Sequence, residues 1–376
     1  MKIAFVDTSN FIDYPIGGQL TSVKKMINFF ICQEQTSIIL IGINKKNKKN
    51  CTVKIGNKNI SFISVYEDTN DSENPKRSLR LHFMLGLFLN ILKIKKMDID
   101  VFFIHNPEAF LPIKIFYRKK KIVTFSHGSF YNIFNHIRFK KAKNALIKKT
   151  LKSYLDWVIK KSDVLLVLDK QSMNEYSMLN KNVYLVSNSI DIENYKKSER
   201  LDKLDRFIFI GRLSANKRID VIIKAVSHIE NVQLHIYGEG EEFKYLEEII
   251  FSLNLQNRVF LKGSINNDSL IQILNIYDVL ILNSVVEGMP MVVLEALASG
   301  LAVITTKVGA IPELIKDGEN GFFTDGSEES IIEAYKKLKK CDTVKIRKNN
   351  FFIAKDYDYR IVNKKIFDII ISLYGA

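Results

Sequence analysis

Short, almost continuous apolar runs recur along this chain, and no other feature restricts its fold so strongly. Lys2–Asp7, Ser37–Ile41, Val101–His105, Ile122–Phe125 and Val164–Leu168 form one series. The pattern weakens around Val183–Val186, and Arg206–Ile210, Gln233–Tyr237, Val259–Leu261, Val279–Leu282 and Ala302–Thr306 form a second. Runs this short and this apolar suit strands of a parallel sheet covered on both faces. Helical stretches such as Thr21–Cys32 fall between them, which predicts an α/β chain of two doubly wound halves. A length of 376 residues exceeds one ordinary core and asks for two domains. The polar stretch Asp191–Lys203 marks the boundary. The expected division is 1–190, 191–355, and a C-terminal helix, 356–376, packing back on the first half.

Composition excludes several classes. Hydrophobic residues at 47% and charged residues at 26% are globular values. Cys32, Cys51 and Cys341 show no paired spacing, which argues against a disulfide framework or a zinc site and fits a reducing, cytoplasmic compartment. MKIAFVD reads as a strand start and not as a signal peptide. The longest apolar run, Leu81–Ile94, is interrupted by His82 and Asn90 and is too short to span a bilayer.

In an open α/β sheet, ligands bind beyond the carboxyl ends of the strands. Glu287–Gly300, EGMPMVVLEALASG, is the most informative such end. Ile276–Leu282 predicts a strand, Asn283–Met289 a turn, and Met291 onward a helix, with Pro290 where proline is tolerated at a helix start. Free N–H groups and the positive end of the helix dipole suit a phosphate there, and Gly288 leaves room for it. Glu287 and Glu295 can each reach a hydroxyl pair, which fits a nucleotide sugar. Two glutamates around a Gly-x-Pro turn also occur in units that bind nothing, so the spacing alone leaves both readings open.

The other strand ends add candidates. Gly17-Gly18 precedes a helix without the GxGxxG turn of a dinucleotide site, so a dehydrogenase is disfavoured while a phosphate or acceptor loop is not. His127 follows Phe125 in Ser126-His127-Gly128, and either a functional or a structural histidine fits that place. Arg212 and Lys217 share the loop after Ile210, as a diphosphate clamp requires. Gly238-Glu239-Gly240 is a further close-approach loop.

Charge is uneven. Residues 1–200 carry 34 Lys+Arg against 17 Asp+Glu, whereas the remainder carries 22 against 24, so the whole net charge of +15 resides in the first half. Within 138–161, nine basic residues face one acid, Asp156, with apolar residues at helical spacing between them. Such a helix can lie on an anionic membrane surface or simply present a solvated face. No nucleic-acid recognition motif accompanies the basic residues, and nucleic acid is not expected as a partner.

The ordered motifs of the second half resemble the retaining glycosyltransferases of family 4, also called glycosyltransferase group 1, which have the GT-B fold. They are GRL with Lys217, YGEG at Tyr237–Gly240, RVFLKG around Phe260, the two glutamates 287 and 295, and GAIPELIKDGENGF. Together they cover roughly 150 residues, whereas the first half matches only at Gly17-Gly18 and His127. Asn188-Ser189, Asn283 and Ala310 depart from the usual pattern. The resemblance implies two Rossmann-like domains facing across a cleft, the first for an acceptor and the second for a nucleotide sugar of UDP or GDP type. It implies that Arg212 and Lys217 hold the donor diphosphate and Glu287 the donor sugar. Gly238, Gly288, Met289 and Pro290 would contact phosphate or sugar, Glu295 the ribose, and His127 the transferred sugar.

No metal or cofactor is implied beyond the nucleotide sugar. The acceptor would be a cell-surface glycan or a lipid-linked sugar, with the protein cytoplasmic or peripheral on the inner face of a bacterial plasma membrane. A GT-B sugar-nucleotide epimerase and a non-catalytic glycan- or membrane-binding relative are the alternatives.

Overall fold

The computed structural model describes residues 1–11, 18–34, 36–44, 50–67, 78–135, 145–195 and 204–375. It divides into two compact units, Met1–Ser187 with Val362–Ala376, and Asn188–Ile361. Unit 1 is built on strands β1 (Lys2–Val6), β2 (Ser37–Asn44), β3 (Asn50–Ile55), β4 (Lys58–Glu67), β5 (Val101–Ile104), β6 (Lys121–Ser126), β7 (Val164–Val167) and β8 (Val183–Leu185). Their order is β3-β4-β2-β1-β5-β6-β7-β8, parallel throughout except where β3 pairs antiparallel with β4.

The β3–β4 hairpin falls outside the sequence-predicted strands. Its residues alternate between buried and exposed, as in Val53, Ile55, Ile60 and Phe62, because one of its faces meets solvent. The continuous runs that signal central strands are absent at such an edge. Along β1, side chains take opposite faces in turn. Ala4 and Val6 join a cluster with Phe83, Leu87, Phe110, Ile113 and Val158 beneath the helices Leu79–Leu89, Phe110–Phe116 and Ala145–Lys161. On the other face, Phe5 stacks with Phe103 at 5.0 Å, and Phe30 lies edge-on to both Phe5 and Phe103. The last helix, Tyr359–Tyr374, completes that face. Its Phe367 ring meets Phe30 at 5.1 Å, and Lys365 donates to the Leu185 carbonyl.

Unit 2 holds β9 (Arg206–Ile210), β10 (Gln233–Tyr237), β11 (Val259–Leu261), β12 (Val279–Leu282), β13 (Ala302–Thr306) and β14 (Gly321–Thr324), all parallel, in the order β11-β10-β9-β12-β13-β14. Succession runs one way from β9 and the other way from β12. The carboxyl ends of that adjacent pair form the switch point at which open α/β sheets bind their ligands.

β12 starts three residues later than its apolar pattern suggests, because Asp278 is drawn into an ion pair before the strand begins. Its carboxylate, fully buried, accepts from the Arg206 backbone N–H at 3.1 Å and from the Arg347 guanidinium at 3.2 Å. Arg347 belongs to the helix Thr343–Lys355, whose Asn350 donates to the Leu301 carbonyl at 2.7 Å. These contacts fix the chain on both sides of the helix Met291–Ala298. Replacing Asp278 with alanine leaves a buried guanidinium without its counter-charge. The expected loss is about 3–5 kcal/mol of unfolding free energy, measured by urea titration.

Candidate functional site

Lys217 and Glu287 meet at the switch point of unit 2, beyond the carboxyl ends of β9 and β12. Lys217 ends a short 3-10 turn after β9, and Glu287 lies in the turn between β12 and the helix Met291–Ala298. The two loops are joined by the Val285 N–H, which donates to the Asn216 carbonyl at 2.8 Å. Across that junction the Lys217 ammonium donates to Glu287 Oε1, and the Ser284 hydroxyl donates to the same oxygen at 2.7 Å. Both charged side chains are largely covered. The pair holds the carboxylate in one orientation and keeps a cation beside the helix start. Pro290 is the N-cap, with extended backbone angles, so the first turn of N–H groups opens where the sequence pattern placed it.

The turn itself has little freedom. A Cβ at Gly309 would come within 2.4 Å of the Glu287 and Gly288 carbonyl oxygens, and Gly309 has a φ of +55°. Ala310, where the motif has a second glycine, donates its N–H to the Gly288 carbonyl at 2.8 Å. Asn188 donates to the Met289 carbonyl at 2.8 Å, its backbone N–H meets the Met289 sulfur, and its Oδ1 is buried without a partner. Asn283, in place of the frequent proline, is buried; its amide donates to the Gly326 carbonyl and its own carbonyl accepts from Arg218 Nε. These departures from the motif brace the turn rather than open it.

Two candidates sit differently from Lys217 and Glu287. Arg212 is exposed and paired with Glu241 at 3.0 Å, so it does not join the Lys217–Glu287 pair here. The backbone amide of Glu241 itself, and then Arg212, hold that carboxyl below the usual range. Glu295 is buried in the second turn of its helix, near enough to the buried Tyr195 that its charge, after burial itself, raises the phenol's pKa. Gly238 has a different reason for being glycine. Its Cβ would lie 1.8 Å from the Gly211 carbonyl oxygen, and one at Gly240 2.2 Å from that of Leu213. The loops after β9 and β10 are thus laid backbone against backbone, which their Leu213 N–H to Glu239 carbonyl bond confirms.

In unit 1, His127 follows β6 and its Nε2 is 2.8 Å from His105 Nδ1 at the end of β5. Asp7, at the end of β1, accepts from the Asn106 amide beside them. These residues line the point where the strand order reverses between β1 and β5. Asp7 Oδ2, His105 Nε2 and His127 Nδ1 are all buried without a partner. Burial lowers both imidazoles to about 3; the two rings oppose each other's charge at His127, and Asp7 pulls the other way. Asp7 is raised by burial, with His127 opposing. The sequence singles out His127, and the structure adds Asp7, His105 and Ser284. Asp7 and His105 each close an apolar strand run with one polar residue, a signal that was present.

Gly18 opens the helix Gly18–Ile31, whereas Gly17 lies outside the described residues. So do 138–144 of the basic segment. The rest of that segment is the helix Ala145–Lys161, which turns Leu155, Val158 and Ile159 into the interior and exposes Leu146 and Ile147. The second half of the helix therefore serves the core, while its first turn keeps apolar side chains exposed. Among the described residues, no helix is long and apolar enough to cross a membrane.

Two Rossmann-like units, with a braced Lys–Glu pair at the second unit's switch point, define a GT-B fold. Residues 191–351 match the family model described as glycosyl transferases group 1. An uncharacterized glycosyltransferase of Methanocaldococcus jannaschii is 34% identical over 134 residues, 35% of this chain and 34% of the relative. The N-acetylgalactosamine-N,N'-diacetylbacillosaminyl-diphospho-undecaprenol 4-alpha-N-acetylgalactosaminyltransferase of Campylobacter jejuni is 29% identical over 299 residues, 76% of this chain and 79% of that one. The Anabaena protein HepE, solved in complex with UDP-glucose, superposes with a TM-score of 0.74 at 19% identity, covering 99% of this chain and 100% of HepE. The chain spans between 34% and 62% of the length of the first curated relatives it matches.

The histidine pair generates a pH dependence. An unfolded imidazole titrates near 6.5. Between about pH 6.5 and pH 5 the unfolded chain therefore takes up protons that the folded pair refuses, and stability falls as pH drops through that window. Asp7, with its raised carboxyl, acts in the opposite direction. Replacing His105 with asparagine is expected to flatten the slope by up to about 1.4 kcal/mol per pH unit, read from urea unfolding across the window.

Proposed function

We propose that the protein transfers a sugar, with retention of anomeric configuration, from a UDP- or GDP-sugar to a lipid-linked or cell-surface glycan acceptor. The observation that carries this reading is the Lys217–Glu287–Ser284 cluster at the start of the helix Met291–Ala298, within the region matching group 1. A cation and a row of helix N–H groups beside a fixed carboxylate suit a diphosphate attached to a polyol. In this reading Lys217 neutralises the departing diphosphate, and Arg212 exchanges Glu241 for a phosphate oxygen when donor arrives. Glu287 accepts from hydroxyls of the donor sugar, and the Gly288–Pro290 backbone lies along phosphate and sugar. Glu295 takes the ribose, and the Gly238 loop borders the nucleotide.

The first half, 1–190, takes the acceptor, where His127, neutral at physiological pH, offers one hydrogen bond to a hydroxyl. The acceptor oxygen attacks the anomeric carbon from the face the diphosphate leaves. The carbon–oxygen bond to phosphate breaks, the new glycosidic bond forms, and the acceptor proton passes to the departing phosphate oxygen. Lys217 and the helix start supply the charge that a metal supplies elsewhere, so the reaction in this reading uses none. A nucleotide-sugar donor accords with the UDP-glucose bound to HepE, and a lipid-linked acceptor with the diphospho-undecaprenol in the Campylobacter relative's name. Cell-surface polysaccharide synthesis at the inner face of a bacterial membrane is the setting that fits both.

Nucleoside diphosphate release in the presence and absence of acceptor tests the reading. Release that depends on acceptor supports transfer, whereas donor conversion without acceptor points to an epimerase. Replacing Glu287 with alanine is expected to lower turnover by about 10²–10³. Undiminished turnover in a folded variant sinks the assignment. Lys217→Ala is expected to lose nucleoside diphosphate binding as well, seen as a lost thermal shift with UDP or GDP.

A further inference from the structure

The apolar run Leu81–Ile94 forms two consecutive helices, Leu79–Leu89 and Ile91–Lys95, joined at Asn90. Their inner side is anchored in unit 1. Phe83, Leu87, Ile91 and Ile94 enter its core, and Gly86 lies so close to β4 that a Cβ there would be 2.3 Å from the Val65 carbonyl oxygen. Asn90 donates to the Gly86 carbonyl at 2.9 Å, which fixes the register where one helix passes into the next.

A helix with one covered side should be polar on the other. This one is not: Leu81, Leu85, Leu89 and Leu92 are 49%, 48%, 86% and 74% exposed. Their spacing of four, four and three residues sets them in one outward stripe. The neighbouring helix Phe110–Phe116 extends the surface, since Phe116, itself exposed, meets the Phe88 ring at 6.1 Å.

The segment that carries the stripe is charged with one sign. Residues 78–97 contain no aspartate or glutamate, whereas Lys93, Lys95 and Lys96 follow the last leucine. Those three lysines enter no salt bridge among the described residues. Among the described residues, Glu108 pairs with Arg80, Asp98 and Asp100 with Lys120, and Asp163 with Lys114. An apolar stripe bordered by unpaired cations complements an interface with hydrocarbon on one side and negative charge at its rim.

We propose that this surface, the outer side of helices 79–95 with Phe116, docks unit 1 on an anionic lipid bilayer, the leucines entering the acyl boundary and the lysines contacting headgroups. It deepens the membrane setting of the proposed function. It places the contact on the leucine stripe, which exposes four leucines and Phe116, whereas the helix Ala145–Lys161 turns Leu155, Val158 and Ile159 inward and exposes Leu146 and Ile147.

Co-sedimentation of the full chain with vesicles, in the absence of donor and acceptor, tests the proposal. Vesicles of phosphatidylcholine with phosphatidylglycerol should pellet the protein, and phosphatidylcholine alone should not. The combined variant L85Q, L89Q, L92Q should partition at least about tenfold more weakly. Replacing Lys93, Lys95 and Lys96 with glutamine should weaken it by about fivefold per charge at low salt. All six positions are outside the core, and a thermal melt matching the parent confirms folding; should the leucine variant fail that check, the lysine variant decides.

A protein that stays in the supernatant, or variants that pellet like the parent, overturns the proposal. So does a concentration-dependent dimer abolished by the leucine substitutions without vesicle binding, which would assign the stripe to a second copy. Because release of nucleoside diphosphate with a soluble acceptor is read separately, a failed docking surface and a failed transferase are told apart.

Discussion

The second unit depends on how closely the loops at the carboxyl edge of its sheet lie on one another. Gly238 rests on the Gly211 carbonyl, Gly240 on that of Leu213, and Gly309 on those of Glu287 and Gly288. At each contact main chain meets main chain with no room for a single methyl group. Parallel strands leave their loops side by side, and hydrogen bonds such as Val285 to Asn216 then turn that proximity into fixed geometry. The charged pair can be held in one place because the backbone carrying its members cannot shift independently. A pair hung on freely moving loops would lose orientation to side-chain entropy.

The sequence displayed this layer plan unevenly. Central strands such as β5, β7, β12 and β13 are buried throughout, so each is written as an uninterrupted apolar run. The β3–β4 hairpin alternates instead, because one side is wet, and it went unread. Turn residues were visible as glycines, but a glycine reports only that something comes close. At Gly238 the close neighbour is the protein's own backbone, and no spacing rule distinguishes that from a ligand. Helical spacing has the same limit, since Leu155 and Val158 look alike in sequence whether they face lipid or core.

Partnerships were the least legible. Ser284 and Lys217 converge on one oxygen of Glu287 although 67 residues of chain separate Ser284 from Lys217, and only the strand order β9-β12 brings them together. The grouping of Asp7 and His105 with His127 was hidden for a similar reason. Each closes an apolar run, and their association with His127 follows from β1, β5 and β6 being neighbours. Chemistry at strand ends is specified by topology, which the local pattern does not carry.

Unit 1 is made of two stretches of chain, Met1–Ser187 and Val362–Ala376, with all of unit 2 between them. Its sheet precedes unit 2 in the chain, yet the aromatic layer around Phe30 gains Phe367 only after the whole of unit 2 has been made. Unit 2 can close while its predecessor still shows that face to solvent. Unit 1 is thus completed only after unit 2, so a ribosome stalled between Ile361 and Phe367 would hold a chain whose unit 2 is complete and whose unit 1 has an uncovered aromatic surface.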